Sequence, residues 1–516
     1  MSSADFPNYW RYSIGADFQS ASGEPAQYIS GHPKYRDADE LAKLTFSTPV
    51  GAMAPNADGT LLALAVANDV HIYRAHDQSL LKVLRGHLSS IDRVLWHPGK
   101  PDGLVTSASR ELRRPRASDD DDDDDDEQAR RSQILFWNIS EDGDDVGDAD
   151  LAAVSRRAVA GIEKDIAAFC LTSQASGPAA AGQHAATKSN SRWAPSPSDL
   201  ATLEKKIARL LHRYALKASL RNRPTIHGRL ISLSPDGASV LFHPGERAQS
   251  NGSAPWDLHV LDYASKQVGI VMKGHTDYIA WADFNASSTL VATASWDGTF
   301  RIFDAKTGFT VYVFSTPELC QNWRGGFSPD GTMFAGSMGS GHFAVWNLES
   351  GAQIASFQFG EKGQWCRTLD WSPDSRYLAV GGRGLCRIKV VEPRAAAEEG
   401  QQSKQVVQDR CLSLDKCVVD SEDRRDILDN FLETRALKLI DGGKKLGYKL
   451  VSDRGLELYD FIANKKWRFA PEEGEERGQF DMRENDGWGP WVFLEKERRI
   501  VSVDGKTVRF WDVADA

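Results

Sequence analysis

A histidine, a hydroxyl residue and a carboxylate follow one another within a short stretch in the middle of the chain. His275 comes directly after a glycine, and Ser295 and Asp297 follow about 20 residues later. Side chains of these types can perform acid–base or nucleophilic catalysis, but they can also satisfy buried polar groups. The sequence contains no Gly-x-x-x-x-Gly-Lys-Ser/Thr, His-Glu-x-x-His or Gly-x-Ser-x-Gly motif. We therefore expect structural roles, with no catalytic residues, cofactor or metal site.

The elements that must position these residues are short strands. Apolar residues alternate over 279–284, recur over 290–295 and return over 300–304. An Asn/Ser turn separates the first two segments, and Trp296-Asp297-Gly298 separates the last two. Period-two alternation broken by such turns predicts a three-stranded antiparallel meander.

The same pattern recurs along the chain at intervals of about 43 residues where it is clearest. A single meander cannot bury both of its faces, so repeats of this length predict the four-stranded blades of a propeller. Positions equivalent to Phe284 are Trp96, Leu233, Phe327 and Trp371, and turns related to Ser-Pro-Asp-Gly begin at Ser234, Ser328 and Ser372.

The order Gly-His, Ser-x-Asp and aromatic-Asp resembles one unit of the WD-repeat β-propeller family, and the resemblance extends over roughly Leu41 to Ala516. It implies an all-β fold with a single propeller. Counting third strands gives eight blades, with seven as the alternative. The resemblance also implies that His275, Ser295 and Asp297 hydrogen-bond within their blade, whereas Phe303 replaces the family's tryptophan and cannot donate.

The predicted organisation is an N-terminal arm, 1–40, followed by a propeller, 41–516. Insertions are expected near 110–132, 141–226 and 392–433. A periodic apolar pattern with a basic opposite face predicts a helix over 198–221, either packed on the rim or available to a partner. Aromatic residues in the arm favour packing on the propeller over a partner-binding motif.

The final unit of the sequence lacks residues for a fourth strand after Trp511 to Val513. An unpaired strand edge would then be exposed. The segment Leu41 to Ser47 reads as a strand and is the available partner, so we expect it to complete this blade and close the ring.

A run of nine acids dominates the charge of the chain and accounts for all but one unit of its net charge of −10. We expect a solvated, mobile acidic loop, with a dock for a basic partner as the alternative. The remaining body is nearly neutral, so direct nucleic-acid binding is not expected. The run comprises Asp119, Asp120, Asp121, Asp122, Asp123, Asp124, Asp125, Asp126 and Glu127.

Sequence features bearing on the compartment agree with one another. No run of 18 apolar residues is present, and the first residues do not resemble a signal peptide. The six cysteines are scattered without a Cys-x-x-Cys pair. We expect an intracellular protein, in the cytoplasm, the nucleus or both, with no membrane association.

Aligning the repeats predicts a ring of side chains around one mouth of the propeller channel. The aligned positions begin the innermost strand of each blade, and Trp296 is expected to join them from the adjoining turn. Tryptophan, tyrosine and arginine dominate interface energetics, although packing between blades is the alternative for each residue. The ring comprises His227, Arg229, Tyr278, Trp296, Trp323, Trp365 and Arg367.

These patterns favour a non-catalytic scaffold that binds other proteins through the propeller face, as part of a complex. The alternative is a chaperone or escort that holds a basic client, such as a histone or ribosomal protein, with the acidic loop. An enzyme using the central channel is the least favoured hypothesis, because the sequence offers no convergent catalytic site.

Overall fold

A computed structural model describes residues 13–20, 22–30, 40–87, 89–108, 132–140, 225–244, 256–315, 320–358, 366–382, 385–390, 410–415, 434–450, 455–471 and 490–513. The regular elements in these ranges are all β-strands. The predicted helix at 198–221 and the acidic loop at 119–127 lie outside them. No helix within these ranges is long and apolar enough to cross a bilayer.

The strands group into antiparallel sets of four, which we label blades 1 to 8 for reference, following the eight units predicted from the sequence. Three strands precede blade 1: β1 (Ser13–Ala16), β2 (Gln27–Tyr28) and β3 (Glu40–Thr45). Blade 1 contains β4 (Val50–Pro55), β5 (Leu61–Val66), β6 (Asp69–Arg74) and β7 (Leu80–Arg85). Blade 2 contains β8 (Ile91–Trp96), β9 (Gly103–Ala108), β10 (Gln133–Asn138) and the first residues of β11 (Thr225–Leu233).

Blade 3 continues from the same strand. It contains the rest of β11, β12 (Ser239–Pro244), β13 (Trp256–Asp262) and β14 (Val268–His275). Blade 4 contains β15 (Ile279–Phe284), β16 (Leu290–Ser295), β17 (Thr299–Asp304) and β18 (Thr310–Ser315). Blade 5 contains β19 (Asn322–Phe327), β20 (Met333–Met338), β21 (His342–Asn347) and β22 (Gln353–Gln358).

Among the last three blades, blade 8 is completed by a strand that is distant in sequence. Blade 6 contains β23 (Cys366–Trp371), β24 (Tyr377–Gly382), β25 (Leu385–Val390) and β26 (Arg410–Asp415). Blade 7 contains β27 (Thr434–Ile440), β28 (Lys445–Leu450), β29 (Leu456–Asp460) and β30 (Lys465–Phe469). Blade 8 contains β31 (Trp491–Leu494), β32 (Arg499–Asp504), β33 (Thr507–Asp512) and β3.

The shared strand β11 explains why the hydrogen-bonded sheets number seven within the described residues. Its first residues pair with β10, as in the pair His227–Gln133. From Gly228 onward the strand pairs with β12. Blades 2 and 3 therefore form one seven-stranded sheet.

The second strand of a blade lies between two neighbouring strands and is deeply buried in most blades. Every residue of β9 and of β20 is buried, whereas the outer strand β18 has exposed apolar residues such as Val311. Close packing between blades limits side-chain size, because a Cβ added at Gly336 would lie 2.6 Å from a ring carbon of Phe300.

Tryptophans at the repeat position tie neighbouring blades together. Trp96 Nε1 donates to the carbonyl of Ala54 at 2.9 Å, from blade 2 to blade 1. Trp371 Nε1 donates to the carbonyl of Gly326 at 3.1 Å, from blade 6 to blade 5. At the position equivalent to Phe284, a tryptophan can therefore stabilise the interface with the neighbouring blade as well as the core of its own blade.

The predicted closure of the last blade by an N-terminal strand is confirmed. Strand β3 pairs antiparallel with β33, with Leu44 opposite Val508. The Arg509 guanidinium and the Glu40 carboxylate add an ion pair of 2.5 Å. Blade 8 therefore has four strands, and its outer strand comes from the segment before blade 1.

The described part of the N-terminal arm also lies on the propeller, as favoured from sequence. Strand β1 is a fifth strand on blade 6 and pairs antiparallel with β26. Strand β2 pairs parallel with β30 of blade 7. Between them, Phe18 is fully buried and stacks on Tyr459 at a centroid distance of 4.2 Å.

Two predicted insertions contain strand residues at places the sequence did not reveal. Strand β11 begins at Thr225, inside the span predicted as 141–226. Strand β26 lies wholly inside the predicted insert 392–433, where it supplies the fourth strand of blade 6. Strand β26 was missed because its six residues lie between charged segments that conceal its alternation, whereas only the first two residues of β11 lie inside the predicted insertion.

Candidate functional site

The first predicted group, in blade 4, is a buried hydrogen-bond network. The Nδ1 atom of His275 lies 2.7 Å from Asp297 Oδ2, and Nε2 lies 2.6 Å from Thr293 Oγ1. Because the carboxylate only accepts, Nδ1 carries the proton and Nε2 accepts from the threonine hydroxyl. His275 and Asp297 meet as the family resemblance implied.

Ser295 hydrogen-bonds within its blade, as the resemblance implied, but its hydroxyl does not contact the imidazole of His275. Its hydroxyl donates to the backbone carbonyl of Asp277 at 3.0 Å and accepts from the Asp297 N–H at 3.1 Å. Thr293, two residues earlier on the same face of β16, contacts the imidazole instead. Ser295 therefore shapes the turn that presents Asp297, while Thr293 was missed from sequence.

The protonation of this network follows from burial. Removal from water lowers the pKa of His275, although the hydrogen bond and charge of Asp297 oppose the change. Burial raises the pKa of Asp297, but hydrogen bonds from His275, Thr299 and the Thr276 backbone outweigh it, so that the pKa is lowered overall. A neutral imidazole that is hydrogen-bonded to an ionised carboxylate is suited to a structural role within the blade.

Blade 2 repeats the network with the tryptophan that blade 4 lacks. His87 Nε2 lies 2.6 Å from Thr106 Oγ1, and Trp137 Nε1 donates to the same oxygen at 2.7 Å. The Thr106 hydroxyl thus links the indole of Trp137 to the imidazole of His87. Phe303 occupies the position of Trp137 in blade 4, so Thr293 receives no indole donor there.

Four residues of the second predicted group form a contiguous cluster across blades 3, 4 and 5, near the residues at which the innermost strands begin. Arg229 donates to the hydroxyl of Tyr278 at 3.3 Å. The ring centroid of Tyr278 lies 5.0 Å from that of Trp296, which lies 5.2 Å from that of Trp323. We call Arg229, Tyr278, Trp296 and Trp323 the mouth cluster.

Exposure within the mouth cluster is partial for every member. The backbone N–H of Trp296 donates to the carbonyl of Tyr278 at 2.9 Å, which fixes the turn beside the innermost strand. The buried Nε1 atom of Trp296 has no hydrogen-bond partner in the described part of the chain. Half-buried aromatic rings with such a donor combine an apolar surface with a polar handle.

The other three predicted residues, His227, Trp365 and Arg367, have no described contact with the mouth cluster. His227 is exposed and pairs with Gln133 through the backbone. Arg367 lies on β23. Trp365 falls outside the described residues. The structure therefore brings together four of the seven predicted residues.

The place where the acidic loop leaves the propeller can be read from the flanking strands. Ala108 ends β9 and pairs with both Ile91 and Gln133. Ile91 begins the innermost strand of blade 2, as Ile279 begins that of blade 4 beside Tyr278. The segment containing the nine acids thus departs from the same end of the blades as the mouth cluster.

Comparison with known proteins supports the architecture. The family model described as "WD domain, G-beta repeat" matches residues 266–304 and 352–388. THO complex subunit 6 of Arabidopsis thaliana is 30% identical over 169 residues, which cover 31% of this chain and 43% of the relative. Periodic tryptophan protein 2 of Saccharomyces cerevisiae is 27% identical over 163 residues, covering 30% and 16% of the two chains.

A third relative is U3 small nucleolar RNA-associated protein 21 homolog of Schizosaccharomyces pombe, 30% identical over 78 residues, or 15% of this chain and 8% of the relative. The chain therefore spans less than half the length of these relatives. Among solved structures, Sqt1 of Saccharomyces cerevisiae has a TM-score of 0.52 at 10% identity, covering 92% of this chain and 99% of that one. The family-model matches show that the chain contains WD repeats, and the all-β architecture and this solved structure show that it has the fold of a WD-repeat β-propeller.

Proposed function

We propose that the chain is a non-catalytic scaffold that binds a protein segment at the channel mouth, across the mouth cluster. The observation that carries this proposal is the unbroken row from Arg229 through Tyr278 and Trp296 to Trp323. Aromatic and arginine side chains that are partly exposed and held in place are those on which interfaces depend most.

The names of two relatives support the proposal that this chain is part of a protein complex. One relative is named as a subunit of the THO complex, and another is named as associated with U3 small nucleolar RNA. By extension, we propose that this chain works with protein partners in a larger assembly, and that it does so in the nucleus.

The test is partner capture from native cells with matched variants. Trp296→Ala combined with Trp323→Ala should abolish capture, because it removes the centre of the apolar row. Phe309→Ala is the control, since this aromatic side chain is 76% exposed on blade 4 outside the cluster. Melting temperatures of all variants show whether the fold is intact. Capture that persists in the folded double variant would contradict the proposal.

A second variant extends the test to predicted residues whose side chains the structure does not describe. Replacing Trp323, Trp365 and Arg367 together by alanine should also abolish partner capture while leaving the fold intact. Retention of all partners by this variant would show that this face is not the functional site.

Escort of a basic client is the second candidate, because the acidic loop leaves the propeller beside the mouth cluster. Its nine acids would attract a histone-like or ribosomal protein by charge. This candidate predicts basic partners whose capture falls steeply between 50 and about 300 mM salt. Replacement of Asp119 to Asp126 by asparagine should then remove the same partners, whereas the scaffold proposal predicts no such loss.

A further inference from the structure

A cavity of about 130 Å³ lies between innermost strands of neighbouring blades, next to the mouth cluster. Its walls combine aromatic rings with guanidinium groups from three blades. Arg93 comes from β8, Arg229 from β11 and Arg324 from β19, which are all innermost strands. Trp256 and Trp281 supply aromatic wall surface.

The three arginines are only partly neutralised by the protein. Arg93 donates to the carbonyl of Ile231 at 3.1 Å, and Arg229 donates to the Tyr278 hydroxyl. The guanidinium of Arg324 lies 5.8 Å from the Trp281 ring centroid, and its buried Nε has no hydrogen-bond partner among the described residues. Much of their donor capacity is therefore uncommitted to the described chain.

Acidic side chains near the cavity have other partners. Asp283, which lines the cavity, accepts from the Ser232 hydroxyl at 2.5 Å and from the Phe284 N–H at 2.9 Å. Asp92 accepts from the Ser107 hydroxyl at 2.7 Å and lies 4.0 Å from Arg229. The cavity lining thus holds three arginines and one carboxylate.

The pKa shifts of two cavity arginines agree with the close approach of the guanidinium groups. Burial lowers the pKa of Arg93, and the neighbouring charges of Arg229 and Arg324 lower it further, against the opposing effects of Asp92 and Asp283. Burial likewise lowers the pKa of Arg324, while Asp283 and Asp370 raise it. An anion placed among these groups would relieve the mutual repulsion of the guanidiniums.

We propose that this cavity is an oxyanion site that receives an acidic side chain of the protein segment bound at the mouth. The proposal rests on the scaffold function and deepens it by giving the partner segment a required chemistry. Guanidinium groups match the geometry of carboxylates and phosphates with paired N–H donors. Trp256 and Trp281 would pack against the apolar part of the same residue.

The experiment uses the full chain and two probes, hexaglutamate and inorganic pyrophosphate, with binding followed by tryptophan fluorescence at about 0.15 M salt. Wild-type protein should bind hexaglutamate, and pyrophosphate should compete. Arg324→Gln and Arg93→Gln should each weaken binding at least about tenfold, as expected for loss of one charge-assisted contact. Arg376→Gln is the matched control, because this arginine is exposed and lies outside the cavity lining.

Two cavity variants are used so that a folding defect in one leaves the other informative. Unchanged hexaglutamate affinity in either folded variant would overturn the proposal. Binding of pyrophosphate without hexaglutamate would also overturn it, because the site would then serve a free phosphate compound. Trp296→Ala with Trp323→Ala separates the two proposals: lost partner capture with retained hexaglutamate binding supports both the mouth and the cavity.

Discussion

The hydroxyl of Thr106 contacts two buried side chains, those of His87 and Trp137. The hydroxyl of Thr293 contacts one side chain, that of His275, and lies 3.2 Å from the carbonyl oxygen of Arg301. Valine has nearly the same shape as threonine but cannot hydrogen-bond. Thr293→Val should therefore cost about 1–3 kcal/mol of the free energy of unfolding, the usual penalty for one unsatisfied buried group. Thr106→Val should cost more, because it strands both His87 and Trp137.

Urea denaturation at pH 7.5 measures both variants, and Thr307→Val in an exposed turn is the control. Equal costs for the two buried positions, or a larger cost at Thr293, would show that the indole donor in blade 2 contributes nothing.

His87 should make stability depend on pH. Burial lowers its pKa to about 3, below the value of about 6.5 expected in the unfolded chain. The unfolded state therefore binds a proton that the folded state excludes, and stability falls as pH decreases from about 6.5 toward 3. Between pH 7.5 and 5 the loss from this group is about 2 kcal/mol.

Replacing His87 by glutamine should reduce the pH-dependent loss of stability by that amount, although the variant starts less stable. Unfolding free energies at pH 7.5 and 5 decide the matter. His76→Gln provides the comparison, since that imidazole is 65% exposed. An identical pH dependence in wild type and His87→Gln would refute this account.

For individual residues, the sequence predicted which residue types form the network better than it predicted their hydrogen-bond partners. His275 and Asp297 could be assigned from the repeat pattern, but Ser295 and Thr293 lie two residues apart on one strand and face the same side. Alternation alone cannot distinguish them. The choice depends on how the loop before β15 positions the imidazole, which only the folded blade determines.

Among the elements, the N-terminal arm is anchored to blade 7 by a buried charged group. Lys466 Nζ lies 2.9 Å from Asp17 and 3.4 Å from Glu457, and its side chain is fully buried. The hydroxyl of Tyr28 donates to Glu457 at 3.0 Å. Burial lowers the pKa of Lys466, but the charges of Glu457 and Asp17 raise it more.

Asp17→Asn should destabilise the protein by about 1–3 kcal/mol, because it removes one of the two carboxylates that compensate a buried ammonium. Glu24→Gln makes the same change of charge at an exposed position of the arm. Thermal denaturation of both variants tests the anchor. Similar melting temperatures would mean that Glu457 alone suffices to hold Lys466.

Strand prediction succeeded where alternation was strong and failed where it was brief. The meander of blade 4 was predicted to within a residue or two. Strand β26 was missed, because six residues between charged segments give too little pattern. Strand β2 has only two residues and pairs parallel, so backbone hydrogen bonds rather than side chains specify it.

For the whole molecule, closure of the ring depends on β3. Leu44 is half-buried against the core between blades 8 and 1. Leu44→Pro should lower the melting temperature sharply, because proline removes a backbone donor and disturbs pairing with β33. Deleting residues 1–48 should have a larger effect, since it also removes β1 and β2.

Lys43→Ala is the control for Leu44→Pro, because it keeps the backbone pairing opposite Arg509. Calorimetry distinguishes the outcomes. If Leu44→Pro melted like wild type, the outer strand of blade 8 would be dispensable and the last blade would be stable with three strands.

The overall architecture was predictable because the repeat constrains every blade at once. Alignment of equivalent positions in the repeats also predicted that Arg229, Tyr278, Trp296 and Trp323 lie close together, and their side chains form one cluster. The cavity behind them could not be predicted, since it depends on which innermost-strand side chains converge across blades. The number of blades stays a prediction.

The pairing of β3 with β33 has a consequence for synthesis on the ribosome. Residues 40–45 emerge early, yet their partner strand, 507–512, emerges about 460 residues later. At roughly 5–20 residues per second, this delay is on the order of half a minute to a minute and a half. Strand β1 lacks its partner until residues 410–415 are synthesised, β2 until residues 465–469 and β3 until residues 507–512. Residues 40–45 of a nascent chain should therefore remain accessible to chaperones and proteases until residues 507–512 have been synthesised.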